Sequence, residues 1–267
     1  MSEEMDKIAE LKKIVEESNN IVFFGGAGVS TESGVPDFRS ENGLWNAKTR
    51  FNASPEEIVS HSFFVSRTDD FYEYYMENLV FPNVKPNATH YALAKLEEEG
   101  KLKAIVTQNI DGLHQAAGSK EVYEIHGAVS RVYCQSCGKQ FSMEYMLDRK
   151  HWKKNACTPL CGDCGGVLKP DVVLYEEPLD DLLMRKSIKA ISEADTLIIG
   201  GTSLAVYPAA GFIDFFRGNH LVLINKQKTN LDSRADLVIH DSLGKVFSSI
   251  VPGITYDPIP VRTKQNQ

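Results

Sequence analysis

Cysteine is missing from most of this chain. The 267-residue sequence has five, and all of them fall between positions 134 and 164. A disulfide framework spread through the fold is therefore excluded, and an odd number packed so closely fits a metal site better than a set of bridges. Long apolar runs are missing too; none approaches the length of a membrane span. Positive charge is not in excess: 29 Lys and Arg stand against 36 Asp and Glu, a formal net charge of −7. That balance argues against broad, charge-driven binding to nucleic acid or to an anionic membrane, while an acidic body still tolerates a basic peptide. No internal repeat or low-complexity tract is visible. The opening "MSEEMDKIAELKKIVEE" reads as a charged amphipathic helix and not as a signal peptide, so the expected location is cytoplasmic. Two catalytic signatures are also absent. Without H-x-E or H-E-x-x-H, a zinc deaminase or zinc protease is disfavoured.

What is present is the composition of an ordinary globular protein, 42% hydrophobic and 24% charged, with short apolar strands alternating with helices. Strands are expected at "IVFF", "KAIVTQN", "EVYEIHG", "DTLIIG", "HLVLIN" and "LVIHD". Helices are expected over residues 4–17, 54–80 and 88–99, at "GLHQAAG", after "GGTSL", and up to Val251. This alternation predicts an α/β fold, a Rossmann-like doubly wound parallel sheet covered on both faces. Two strand–glycine–helix units suggest two mononucleotide halves meeting at a switch point. The cysteine segment interrupts the pattern and is expected to form a smaller zinc-binding insert domain over 130–168, with part of 40–85 as a helical insert. The Rossmann-like domain is then discontinuous, 1–129 and 169–257, and 258–267 is a polar tail. The aromatics from Phe63 to Tyr75 sit near helical spacing and are expected in the core.

"CQSCGK" and "CGDCGG" are two C-x-x-C knuckles, each followed by glycine. Four thiolates in such turns close a tetrahedral site around one structural Zn2+ with no open position for water. The ligands are Cys134, Cys137, Cys161 and Cys164. Cys157 also offers a thiol in place of Cys161 or Cys164, but "NACTPL" lacks the knuckle glycine, so Cys157 is read as a free thiol.

At "IVFFGGAGVSTESGVPDFRS", glycines 25, 26 and 28 follow a strand and supply the close backbone approach that a pyrophosphate needs. The strict G-x-G-x-x-G fingerprint is nevertheless absent, because Thr31 stands where the third glycine belongs. About twenty residues beyond the turn, where a Rossmann site places its ribose-binding acid, the chain reads Asn46, Ala47 and Lys48. A plain hydride-transfer enzyme is weakened accordingly. Other polar clusters follow strands: Gln108, Asn109 and Asp111; His126; Gly201, Thr202 and Ser203; Asn225. All are expected on the carboxyl rim of one sheet.

Together "GAGVSTESGVPDFR", "TQNIDGLH", "EIHG", the paired knuckles, "GTSLAVYPAA" and "LIN" resemble, in the same order and over about residues 18–250, the sirtuins, the NAD-dependent protein lysine deacylases. The resemblance implies that NAD is a consumed co-substrate. The acyl oxygen of an acyl-lysine attacks the nicotinamide ribose, nicotinamide leaves, and a histidine base helps a ribose hydroxyl take the acyl group, giving O-acyl-ADP-ribose. It implies His126 and Asn109 as the catalytic residues, His126 as general base, with Asn109, Asp111, Ile110 and Gln108 around the nicotinamide ribose. Gly26, Ala27, Gly28, Thr31, Asp37, Phe38 and Arg39 belong to the cofactor loop, with Phe38 shielding the reactive carbon. Gly201, Thr202, Ser203 and Asn225 fall on the adenosine side, with Asp241 a looser assignment. Asp37 and Arg39 also fit a simple ion pair, Thr202 and Ser203 also fit a helix cap, and His114 fits a solvated or packing role. Acyl-lysine proteins or peptides are the implied partners, lying as an added strand along "LKPDVVLYEE", with Val173 and Leu174 the candidate backbone contacts. Here Leu174, Tyr175 and Glu176 depart from the family's Phe-Gly-Glu, and Glu176 stands where glycine is usual. Members that prefer succinyl or malonyl groups carry a Tyr-x-x-Arg pair. Only Arg50 and Arg67 occupy that region here, neither three residues after a tyrosine, so acetyl or a longer apolar acyl chain is expected. A protein ADP-ribosyltransferase using the same cofactor site is the alternative, and a non-catalytic NAD-binding or zinc-tethered interaction module is a third.

Overall fold

A computed structural model of the chain describes residues 2–36 and 48–259. Six strands form one parallel sheet: β1 (Ile21–Gly25), β2 (Leu102–Thr107), β3 (Val122–Glu124), β7 (Thr196–Gly200), β8 (His220–Ile224) and β9 (Leu237–Ile239). Their order across the sheet is β3-β2-β1-β7-β8-β9. The chain winds outward one way from β1, then returns to β7 on its other side and winds outward the other way. That is the Rossmann order, and β1/β7 is its switch point. The pairing is in register there, with Gly25 opposite Gly200, so both glycine turns leave the sheet side by side.

The central strands are buried along their whole length, because helices cover both faces. Alternate residues serve opposite faces. Phe23, Ile105, Ile198 and Val222 pack with Leu11 and Ile14 of α1 (Ser2–Glu17), Leu93 of α5 (Ala88–Glu98) and Phe247 of α9 (Leu243–Ile250). Val22, Phe24, Leu197 and Ile199 pack with Ile191 of α8 (Asp181–Glu193) and with Phe212 and Ile213.

A second, antiparallel sheet has the order β5-β4-β6, from β4 (Gly127–Cys134), β5 (Gln140–Ser142) and β6 (Leu168–Val172), followed within this layer by α7 (Met143–Leu147). Its strands run past both ends of the cysteine segment. The region 54–80 is not one helix but three, α2 (Pro55–Ile58), α3 (His61–Ser66) and α4 (Thr68–Asn78). Ser54 and Ser60 each cap a new start, their side chains accepting from the amides of Glu57 and Phe63. Phe63, Phe64, Phe71, Tyr72, Tyr74 and Tyr75 are all buried, in one cluster with Val132, Leu168 and Val172 of the small sheet. These aromatics are core, as their spacing suggests. The helix expected after "GGTSL" is instead a 3-10 segment, Ala209–Phe215; it starts from Pro208 without a side-chain cap and contains Gly211. Among the described residues no helix is long and apolar enough to cross a membrane.

The two sheets meet at His126. β3 ends at Glu124 on the edge of the large sheet, and β4 of the small sheet begins at Gly127. Gly127 has φ of +79°, and a Cβ placed there would lie 1.9 Å from the Asp171 carbonyl oxygen. Only glycine lets β4 approach β6 so closely at this joint.

Candidate active site and metal centre

At the switch point the two glycine turns are joined backbone to backbone. The Gly26 amide donates to the Gly200 carbonyl (3.3 Å) and the Gly28 amide to the Gly201 carbonyl (2.8 Å). Gly201 has φ of +62°, and a Cβ on Gly28 would lie 2.7 Å from the Gly201 Cα. Side chains are thus kept away from the place where a dinucleotide's phosphates approach in this fold.

Around that seam lie two hydrogen-bonded sets. In the first, Asn225 at the end of β8 holds Thr202 through both of its amide atoms: Oδ1 accepts from the Thr202 amide (3.1 Å) and Nδ2 donates to the Thr202 carbonyl (2.6 Å). The Thr202 hydroxyl accepts from Gln108 Nε2 (3.1 Å) and from the Leu204 amide (3.1 Å). The Gln108 carbonyl accepts from His126 Nδ1 (3.0 Å). In the second, Asn109 Nδ2 donates to the Ser30 hydroxyl (3.1 Å), which donates to Asp111 Oδ2 (2.6 Å). The other Asp111 oxygen accepts from the Leu113 amide (2.9 Å). Because the Ser30 proton goes to a carboxylate, its oxygen can only accept from Asn109, and that settles the orientation of the Asn109 amide. Burial raises the Asp111 pKa above the usual carboxylate value.

His126 is half-buried. A carbonyl oxygen can only accept, so the contact with Gln108 puts the imidazole proton on Nδ1 and the lone pair on Nε2. Burial also pulls the His126 pKa below its ordinary 6.5. Near neutral pH the ring is therefore uncharged with Nε2 ready to accept a proton, as a general base requires.

Other candidates stand further from this network. Thr31 donates from Oγ1 to the Gly28 carbonyl (3.0 Å) and Ala27 lies in the short 3-10 turn Ala27–Val29. Ile110 packs against the small-sheet cluster, and its carbonyl accepts from the Val129 amide (2.9 Å). Ser203 is exposed. Asp241 follows β9 on the same rim, but its carboxylate is tied to the Ser242 amide (2.7 Å) and to Lys245, at the start of α9. Asp37, Phe38 and Arg39 lie outside the described residues. Val173 and Leu174 follow β6; the Val173 amide donates to the His126 carbonyl (3.0 Å), the Leu174 amide to Glu177 Oε2 (2.9 Å), and the Leu174 side chain is buried. Glu176 takes φ of +76°, the left-handed conformation that glycine would adopt without strain. Its carboxylate accepts from the amide (2.8 Å) and hydroxyl (2.9 Å) of Ser62 in the first turn of α3, an offset to the backbone cost. His114 is buried in the core and belongs to packing.

The sequence reading missed Ser30. Its hydroxyl is the node between Asn109 and Asp111, and nothing in the spacing of "GAGVST" tells which way it turns.

The four knuckle cysteines converge. Cys134 and Cys164 sulfurs are 3.5 Å apart, Cys137 and Cys161 sulfurs 3.8 Å, and all four lie within 4.8 Å of one another. Four thiolates at tetrahedral corners about 2.3 Å from a zinc ion stand about 3.8 Å apart, so the set fits zinc. The two turns are built alike. Gly138 and Gly165 both have φ of +72°, and their amides donate to the carbonyls of Cys134 (3.0 Å) and Cys161 (2.9 Å). The amides of Cys137 and Ser136 point at the Cys134 sulfur and lower its pKa to about 6, the Cys137 amide contributing most. Cys157 is outside the cluster, half-buried and free. With four sulfurs present the site has no place for a reacting water, and its role is structural.

A model described as the Sir2 family matches residues 26–208. The chain is 62% identical over 247 residues to an NAD-dependent protein deacetylase of Clostridium acetobutylicum, a match covering 92% of this chain and 99% of that protein. It is 53% identical over 252 residues to one of Clostridium tetani, covering 94% and 100%. Among solved structures, a complex described as Sir2–p53 peptide–NAD+ superposes with a TM-score of 0.79 at 36% identity, covering 90% of this chain and 95% of that one. Another, described as Sir2 bound to acetylated peptide, gives 0.78 at 35%, with the same coverage. The family model spans more than half of the chain and the relatives match it over nearly their whole length, so the chain belongs to the Sir2 family, the sirtuins.

Proposed function

We infer that this chain is an NAD-dependent protein deacetylase in which His126 is the general base. The observation that carries the role of His126 is its hydrogen bond to the Gln108 carbonyl, because one contact fixes both the tautomer and the ring orientation. Bound NAD supplies the ADP-ribose that accepts the acetyl group, with nicotinamide as its leaving group. Gly26, Ala27, Gly28 and Gly201 would receive the pyrophosphate, while Thr202, Ser203 and Asn225 hold the adenosine side. The Asn109–Ser30–Asp111 chain, with Gln108 and Ile110 beside it, would bind the nicotinamide ribose. Contacts from Thr31, Asp37, Phe38 and Arg39 belong to the same proposal, and Asp241, held by the Ser242 amide and Lys245, is assigned to the start of α9 in preference to the cofactor. His126 would take a proton from a ribose hydroxyl at Nε2 while its Nδ1–H goes on donating to the Gln108 carbonyl.

The substrate is an acetyl-lysine peptide lying along the segment after β6. The amides of Val173 and Leu174 are already engaged, so pairing there rests on the Val173 carbonyl. Arg50 is held by Glu73 and Glu77, and Arg67 by Asp70 (2.7 Å) and the Phe51 carbonyl (3.0 Å). Neither is free to meet an acidic acyl group, which supports acetyl over succinyl.

The test is mass spectrometry of products from acetyl-lysine peptide and NAD. O-acetyl-ADP-ribose is expected; an ADP-ribosylated protein in its place would overturn the reading. His126→Ala should lower turnover by about 10²–10⁴-fold with NAD binding retained. The wild-type rate should hold as pH falls to the ordinary imidazole value of 6.5 and fail only below it, since burial lowers the pKa of the base. An acid limb above 6.5 would remove His126 from the role.

A further inference from the structure

The last described residues run back to the stem of the first glycine turn. Beyond α9, Lys95 Nζ donates to the Pro252 carbonyl (2.6 Å), and Ile254 packs against the core on that face of the sheet. The Tyr256 hydroxyl then donates to Glu32 Oε1 (2.9 Å). The Ile259 amide donates to the Glu32 carbonyl (2.9 Å), and Ile259 bridges Ser33 in parallel. The second Glu32 oxygen, Oε2, accepts from the Gly244 amide (2.8 Å) in the first turn of α9. Glu32 is only 5% exposed, so its two oxygens depend on these two donors. The Tyr256 ring closes over Gly244, where a Cβ would lie 3.1 Å from two ring carbons.

Glu32 lies in a turn that is hydrogen-bonded on every side. The amides of Ser33 and Val35 donate to the Ser30 carbonyl (3.0 and 3.2 Å). Asn87 Nδ2 donates to the Val29 carbonyl (2.8 Å) and to the Ser33 hydroxyl (2.9 Å). Ser30, whose hydroxyl orients Asn109 and Asp111, and Glu32, which binds the C-terminal segment, belong to the same rigid turn. A shift of Glu32 is therefore passed to the ribose side of the site through two residues of backbone.

We propose that Glu32 and Tyr256 are positioning residues for NAD: the C-terminal segment 252–259 straps the stem of the cofactor turn and holds Ser30 against Asn109 and Asp111. This rests on the deacetylase reading for its kinetics, but not for its binding measurement. Tyr256→Phe keeps the ring over Gly244 and removes only the hydroxyl. With the full-length, zinc-loaded protein, Tyr256→Phe and Glu32→Ala should each raise the KM for NAD by about 3–30-fold, with the KM for acetyl-peptide within about twofold. Glu32→Gln keeps an acceptor oxygen and should restore most of the loss. Calorimetric titration with NAD alone should show the same order of affinities. Unchanged NAD affinity and KM in both Tyr256→Phe and Glu32→Ala, with only a lower melting temperature, would reduce the strap to a stabiliser of the fold and overturn the proposal. If the wild type converts no acetyl-peptide, the deacetylase reading fails, and the calorimetric comparison still decides the strap.

Discussion

His114 is 1% exposed, its ring centroid 4.8 Å from that of His90. His90 accepts the Asn87 amide at Nδ1 (3.2 Å), and among the described residues neither His90 Nε2 nor either His114 nitrogen has a hydrogen-bond partner. Burial lowers both pKa values, that of His114 from 6.5 to about 4. Both rings are thus neutral in the folded protein, while the unfolded chain binds protons as pH drops below 6.5. The stabilisation is complete above 6.5 and is lost as pH falls toward about 4; for His114 alone the swing is roughly 3 kcal/mol. Urea unfolding at pH 7.5 and 5.0 should show this loss, and His114→Leu should show a smaller one. Carboxylates and cysteines contribute equally to both proteins, so an identical pH slope in the two would refute the assignment. A sequence shows that His114 follows the "NIDGL" motif but not that the ring turns inward. The same limit hid the Nδ1 proton of His126 and the direction of the Ser30 hydroxyl, since each depends on an acceptor distant in sequence, in the segment that follows β2.

Glycines at element boundaries divide by what surrounds them. Gly112, before α6 (Leu113–Ala116), has φ of +73° and nothing within 4 Å of the position a methyl group would take, whereas at Gly127 the Asp171 oxygen lies at 1.9 Å with φ of +79°. Gly112→Ala should cost only the backbone term, about 1 kcal/mol. Gly127→Ala adds a collision between β4 and β6 and should cost about 2–5 kcal/mol, with turnover falling because His126 is the adjoining residue. Chemical denaturation of the two variants measures both; equal losses would mean that the β4–β6 joint yields freely. Elements whose causes are local were legible. "IVFFG" and "TLIIG" read as buried strands from their apolar runs, and the knuckles from their glycines. The break at Ser60 had a local signal in its capping side chain, whereas the break at Arg67 has no side-chain cap and falls within the aromatic spacing from Phe63 to Tyr75, which masked it. The Ala209–Phe215 turn and the strap at Tyr256 were not legible, the latter because its partner Glu32 is 224 residues away.

In the whole molecule, the hydrophobic clusters on the two faces of the large sheet are separate from the one that joins the small sheet to the aromatic helices α3 and α4. Cys134 and Cys161 belong to that third cluster, and Tyr72 reaches across it to the Leu168 carbonyl. Zinc therefore anchors a core that extends well beyond its own knuckles. The large sheet has its own packing on both faces and does not depend on the ion. Chelation should accordingly release amide protection over 127–172 and also over 55–78, while β1, β7 and β8 keep theirs. Activity should fall with the small sheet, because the His126 carbonyl and the Val173 amide are bonded across the joint between the two parts. Hydrogen exchange followed by mass spectrometry, before and after a strong chelator, separates the possibilities. Protection lost only at the cysteine turns would mean that the aromatic cluster holds itself together. Loss spreading into β1 and β7 would mean that the two cores fold as one.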